Sequence, residues 1–468
     1  MTLAALDPVP ITERQSLLRS IPLSIFLVLV SYGLFRQGAF HNPAQQIFSV
    51  ALVVCGVALT AQAAGRAALR SGFEIVSLLL LATVASAAVA VDRSGVVEAL
   101  GWIAMLAVSF AAAKSVDERY VDQAIDAFVA VACVIAATAI WGVAAQSSPW
   151  GRITGEVWRG SSSITYANGA ATLFGPMAVV AFVRASLYDR RVLAGASLFL
   201  LVGFTSTQSR GGAVALLIAV PLVLRNLGWQ RSVRGLLPIL VGLAISTPLL
   251  LALAGTDAVA RPALVIVAVL VGLAATMALW PHRERVANPT MLLAAGVVLV
   301  GVVIAVSGIG SALTARLSIT SPTTASGADG QVLFGDRAKE WSTAWDQFTA
   351  RPLLGSGPGN VDLRWTEGDR AFSAIYVHNE YLELMVTHGV IGLAALFGTV
   401  YLWTQLAKRN RERWYLGAAV TVYLVHSSFD FLWHIPALPA FFAACLGLLS
   451  AGGPENRRDP QPEPGVST

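Results

Sequence analysis

Between Asp336 and Gly392 the sequence gathers residues able to hold an anion and move a proton: Arg337, Arg364, Arg370, His378 and His388, with several glycines. A histidine can take or give a proton near neutrality. His378 stands just before an apolar run, where a helix N-terminus would favour a bound anion. Asn379, Glu380 and Glu383 stand where they could orient its ring or cap that helix. His388 lies inside the apolar run and reads as a packed core histidine. Arg337 opens a segment in which Trp341, Trp345 and Phe348 recur at helical spacing. Its ordinary use would be an ion pair with Asp336 or Glu340. Arg364 and Arg370 sit among Asp362, Glu367 and Asp369 and read as loop salt bridges. The run Gly355-Ser-Gly-Pro-Gly-Asn360 lacks the Gly-Lys-Ser ending of a phosphate loop, and no strand is expected before it. It reads as a sharp turn, with glycines admitting positive φ and Pro358 fixing one bend.

Two further groups carry polar chemistry. Arg210, in Thr205-Ser-Thr-Gln-Ser-Arg-Gly-Gly212, has no acidic neighbour in sequence and lies between two apolar runs. A guanidinium there faces a cavity, a partner or the interface, and it suits a phosphate, which it can bind in bidentate fashion. The other reading is an interfacial arginine snorkelling to water. His426, Asp430 and His434 fall on one helical face at i, i+4 spacing. Two imidazoles and a carboxylate suggest a metal, but Pro436 ends any helix there and an Asp–His hydrogen bond uses the same residues. No metal is expected. The chain has no Asp-x-Asp pair, which speaks against a metal-dependent nucleotide-sugar transferase.

The elements that must position these residues are membrane helices. Of 468 residues 56% are hydrophobic and 13% charged, against about 25% charged in soluble domains. Continuous apolar runs recur at bilayer-spanning length, and their continuity disfavours a β-barrel. The three cysteines, Cys55, Cys133 and Cys445, lie inside apolar runs and imply no disulfide framework. The net charge of +5 reports topology rather than nucleic-acid binding. The expected fold is an all-α polytopic membrane protein of about 14 (12–14) spans. They fall near 21–39, 45–62, 73–91, 96–113, 124–146, 164–183, 192–206, 211–225, 235–254, 262–280, 290–309, 380–407, 414–429 and 435–451. The organisation is a cytoplasmic N-terminus (1–20), a first bundle (21–309), a large extracytoplasmic loop with short helices (310–379), C-terminal helices (380–451) and a disordered cytoplasmic tail (452–468). Segment 336–350 is either an amphipathic helix on the membrane surface or a short helix packed over the bundle.

With a cytoplasmic N-terminus, the inside segments hold 20 of the 32 Lys and Arg residues. The short outside loops hold six, namely Arg36, Arg93, Arg152, Arg159, Arg210 and Arg261, and the long loop the other six. That bias puts both termini in the cytoplasm and sets Arg210 and the long loop on the outer side. A secondary transporter would show broken or charged helices in paired halves, and no such pairing is evident.

In order, Ser209-Arg210-Gly211, the Arg337…Trp341 helix, Pro352-Leu-Leu-Gly-Ser-Gly-Pro-Gly-Asn360, His378-Asn-Glu-Tyr-Leu, His388-Gly-Val-Ile-Gly392 and Ser428-Phe-Asp430…Pro436 resemble the O-antigen ligase and polymerase family. The resemblance implies a GT-C-like membrane glycosyltransferase of the bacterial cytoplasmic (inner) membrane, with its active site facing outward. It implies a metal-independent, inverting transfer of a glycan from an undecaprenyl-diphosphate carrier to a glycan, lipid or protein acceptor, with no cofactor. Carried over, His378 is the base and Arg210 and Arg337 hold the diphosphate, with Asn379, Glu380, Arg159 and Asp430 as supporting positions. Ligation, repeat-unit polymerisation and protein O-glycosylation remain open within the family, and a lipid-linked glycan flippase or transporter is the outside alternative.

Overall fold

The computed structural model describes residues 11–286, 288, 290, 294, 334–367 and 370–451. The span expected at 290–309, the loop up to 333 and the C-terminal tail lie outside them, apart from those isolated positions. The first helices are α1 (Ile11–Phe35), α2 (Asn42–Thr60), α3 (Ala63–Ala87), α4 (Ser94–Lys114) and α5 (Val121–Ala144). They are followed by α6 (Ala167–Tyr188), α7 (Arg191–Thr207), α8 (Arg210–Leu217), α9 (Ala219–Leu227), α10 (Trp229–Ala252) and α11 (Pro262–Leu279). After the undescribed stretch come α12 (Phe334–Ala350), α13 (Glu380–Arg409), α14 (Trp414–His426) and α15 (Ala437–Ser450).

Among the described residues, nine helical segments are long and apolar enough to cross a membrane, and three shorter apolar ones accompany them. The expectation of a polytopic helical membrane protein holds at that level. It misses two short antiparallel hairpins, β1 (Gly151–Thr154) with β2 (Val157–Gly160) and β3 (Leu363–Glu367) with β4 (Arg370–Ala374). Both lie in polar connections, which apolar-run counting does not register. Helix ends follow local chemistry. Asp189 and Gln208 stop α6 and α7 in the left-handed region, and Pro262 starts α11, where a missing N–H costs nothing.

The core is aromatic at its centre: Phe128 packs on Phe441 at 4.7 Å and Tyr423 stacks on Phe442 at 4.4 Å. The connections assigned by charge to one side meet at one end of this bundle. There Gln37 N–H donates to Ser163 O at 3.1 Å and Trp158 N–H to Ala254 O at 2.7 Å, and the Asn360 side-chain amide accepts Asp92 N–H on Oδ1 at 3.0 Å and donates from Nδ2 to Asp92 O at 2.8 Å. At the other end Arg184 is buried between Asp122 (2.7 Å) and Asp126 (3.0 Å), and Arg283 pairs with Asp189 at 2.6 Å.

Helix α12 packs over the bundle rather than lying apart from it. Ala344 and Phe348 on its inner face cluster with Leu363, Val377, Leu382 and Val386. The glycine run after it is a docking strap, as its turn-like composition suggests. Gly357 takes φ +91°, and a Cβ there would stand 2.4 Å from that of Ala90 at the end of α3. Nearby, α13 breaks at Gly389 (φ 64°). The freed amides of Val390 and Ile391 donate to Pro352 O (2.8 Å) and Leu353 O (3.4 Å) of the same strap, so the kink has a named cause. His388 beside it is buried against Thr83 and Thr387, a packed histidine. Gly357→Val is expected to destabilise the protein by about 2 kcal/mol or more, from strain plus overpacking. The measurement is the detergent-solubilised melting temperature, and an unchanged value would refute the strap's role.

Candidate active site

The site forms around the turn from Phe429 to Phe431 that follows α14. The spacing 426, 430, 434 is not one helical face, because α14 stops at His426 and the chain turns. The three residues go separate ways. His426 Nδ1 meets Thr172 Oγ1 at 2.5 Å. Asp430, 1% exposed, accepts from Tyr166 Oη and Asn168 Nδ2, both at 2.5 Å. His434 Nε2 lies 2.7 Å from Glu383 Oε1. Loss of water around its hydroxyl, with Asp430 alongside, pushes the Tyr166 phenol well above its usual range, so Tyr166 stays a donor.

Arg337 projects from the first described turn of α12. Its Nη1 donates to Phe429 O at 3.0 Å, and its Nη2 stands 3.9 Å from Asp430 Oδ2. Glu340, one of the partners expected for Arg337, pairs elsewhere. Glu340, one turn on, is fully buried and receives the backbone N–H of His378 at 2.5 Å, with its Oε2 2.8 Å from His378 Nδ1. The His378 ring also meets Phe431 edge-on at 5.0 Å.

Arg210 begins α8, which Ser209 caps by accepting from Gly212 N–H at 3.2 Å. Gly211 lets this helix start close on the same turn, since a Cβ there would be 3.2 Å from that of Phe429. Arg210 itself is exposed. Among the described residues it has no hydrogen bond or ion pair. Arg159 reaches the site indirectly: its Nη2 donates to Asn168 Oδ1 at 3.0 Å and its Nε to Thr207 O at 2.8 Å. A chain of contacts thus runs from Arg159 through Asn168 and Asp430 to Arg337.

Three of the seven sequence-selected residues (Arg337, His378 and Asp430) touch or lie in the turn, Gly211 beside Arg210 comes close to it, and Arg159 is linked to it. The other two do not orient the His378 ring. Asn379 Oδ1 caps α13, accepting from Tyr381 and Leu382 N–H at 3.1 Å. Glu380 points to the other side of the turn, accepting from Trp433 N–H and lying 3.8 Å from His434 Nε2. Arg364 makes the loop salt bridge expected of it, with Asp362 at 2.9 Å.

Sequence reading missed Glu340, Tyr166 and Asn168. Glu340 left a signal, being a carboxylate in register with Ala344 and Phe348 on the buried face of α12. Tyr166 and Asn168 left none, because their partner lies more than 260 positions away.

Glu380, Glu383 and His434 place one ligand atom each within 4.8 Å of one another, a donor set that could take a divalent metal. Burial alone would push the His434 ring down, but Glu383 and Glu380 outweigh it and raise it to about 9. The same three groups also suit a charge-assisted clasp between α13 and the chain after the turn.

Residues 250–397 match the family model described as O-antigen ligase. The matched stretch contains Arg337, Glu340 and His378, whereas Arg210 and the Phe429–Phe431 turn lie outside it. No curated protein and no solved structure matches the chain. The match likens less than half of the chain to O-antigen ligases, and the long apolar helices support a multi-pass membrane protein.

Proposed function

We propose that this chain, O-antigen ligase-like over residues 250–397, transfers a glycan from an undecaprenyl-diphosphate-type carrier to an acceptor hydroxyl on the outer side of the cytoplasmic membrane. The observation that supports this reading is the meeting of three groups at one turn. The Arg210 helix start packs on Phe429, Arg337 donates to its carbonyl, and His378 packs on Phe431. Two guanidinium groups would face the diphosphate as C1 separates from it, where fixed positive charge stabilises the leaving group. His378 would take the proton of the attacking hydroxyl. Direct in-line attack inverts the anomeric centre. The orientation reading is supported by the gathering of the Arg36, Arg93, Arg159 and Arg210 connections with the long-loop residues at one end of the bundle.

The chemistry asks nothing of a metal, since the guanidinium groups supply the cationic charge. In proteoliposomes carrying an undecaprenyl-diphosphate-linked oligosaccharide and an acceptor, EDTA is expected to leave the rate of transfer within two-fold of its untreated value. A rate that collapses with EDTA and returns with a divalent cation would sink metal independence. Donor that stays carrier-linked under all conditions would sink the transfer reading. The product of the same assay separates attachment of a preformed chain from growth of the chain by repeat units.

A further inference from the structure

We infer that Glu340 is the positioning residue of His378, fixing its tautomer so that Nε2 is the nitrogen that receives the acceptor's proton. The inference rests on the reading of His378 as the base. Glu340 is fully buried, and both its oxygens are spent on His378: Oε1 on the backbone N–H and Oε2 on ring Nδ1 at 2.8 Å. A carboxylate accepts, and a neutral imidazole has one donor and one acceptor nitrogen. The proton therefore sits on Nδ1, and the lone pair on Nε2. Among the described residues Nε2 has no hydrogen-bond partner, and the ring keeps 17% of its surface open. Grip at the backbone, grip at Nδ1 and the edge-on contact with Phe431, 83° between planes, leave the ring one orientation.

Arg337 sits on the same helix as Glu340, three residues before it, yet donates to the turn instead. Glu340 is thus reserved for the imidazole. In the transfer step the hydroxyl proton moves to Nε2 while the oxygen bonds to C1. The C1–O bond to the carrier breaks, and its electron pair leaves on the diphosphate. The imidazolium so formed carries its charge 2.8 Å from the Glu340 carboxylate, the arrangement that stabilises a transient imidazolium.

The test is kcat and KM of purified Glu340→Gln in proteoliposomes with an undecaprenyl-diphosphate-linked oligosaccharide and its acceptor, beside wild type, Glu340→Asp and His378→Ala. Glutamine keeps the shape and an acceptor for the backbone N–H but removes the charge. The expected result is a kcat lowered by about 100-fold with KM within two-fold. Glu340→Asp keeps the charge on a shorter arm and is expected to recover part of the lost kcat. A glutamine variant with wild-type kcat, alongside an inactive His378→Ala, overturns the role of Glu340 and leaves the base reading standing. Active His378→Ala overturns both. Should the glutamine variant not fold, an aspartate variant with unchanged kcat and a raised KM overturns the inference by itself.

Discussion

Replacing His378 with alanine is expected to lower the rate of glycan transfer by roughly 100- to 10,000-fold, the range of a lost general base, while the protein accumulates normally in the membrane. The ring's hydrogen bond goes to Glu340 and its ring contact to the edge of Phe431. The backbone N–H of residue 378 still reaches Glu340 when the ring is gone. Loss of fold is therefore a poor account of loss of rate at this position. Donor binding should survive, because the diphosphate is assigned to the arginines. The deciding measurement is single-turnover transfer together with binding of the carrier-linked donor. Near-normal transfer would remove His378 from the mechanism, and lost binding with lost transfer would make it a donor contact instead.

The second large effect is expected at Arg337. Arg337→Ala should reduce kcat by about 100- to 1,000-fold, as for removal of one fixed group facing developing charge. Arg337→Lys should recover only part, since an ammonium cannot engage the phosphate oxygens in bidentate fashion. Interpretation has to reckon with Asp430. Taking away the guanidinium leaves that carboxylate, 1% exposed, without its nearest cation, and a stranded buried charge is strongly destabilising. The double variant Arg337→Ala/Asp430→Asn resolves this. It removes both charges, so stability should return toward wild type while transfer stays low. Recovery of transfer in the double variant would mean that Arg337 serves the fold and not the diphosphate.

The helices were the legible part of this chain, because apolar runs of spanning length report themselves locally. So were the turn-like glycine strap and the packed His388, whose neighbours in sequence describe their surroundings. The candidate site was legible as a set of residue types and illegible as a set of partners. Asn379 and Glu380 adjoin His378 and read as ring partners or helix caps; Asn379 is the cap, and the ring's partner lies 38 positions earlier on α12. Arg337 has acidic residues near it on its own helix, yet its guanidinium also crosses 92 positions to Phe429 O. Spacing 426, 430, 434 looked like one face only while α14 was assumed to continue past His426. Sequence proximity predicts pairs within a helix and says little about which loop a side chain will meet.

The 3.9 Å between Arg337 and Asp430 bears on what happens after the bond is made. A transferase that grips a diphosphate with bare cations risks keeping it, and a carrier that never departs ends the cycle after one round. Here one of the two cations has a carboxylate waiting at its side, held in place by Tyr166 and Asn168. On the proposed reading, Asp430 would offset part of the charge of Arg337 and so ease departure of the spent carrier.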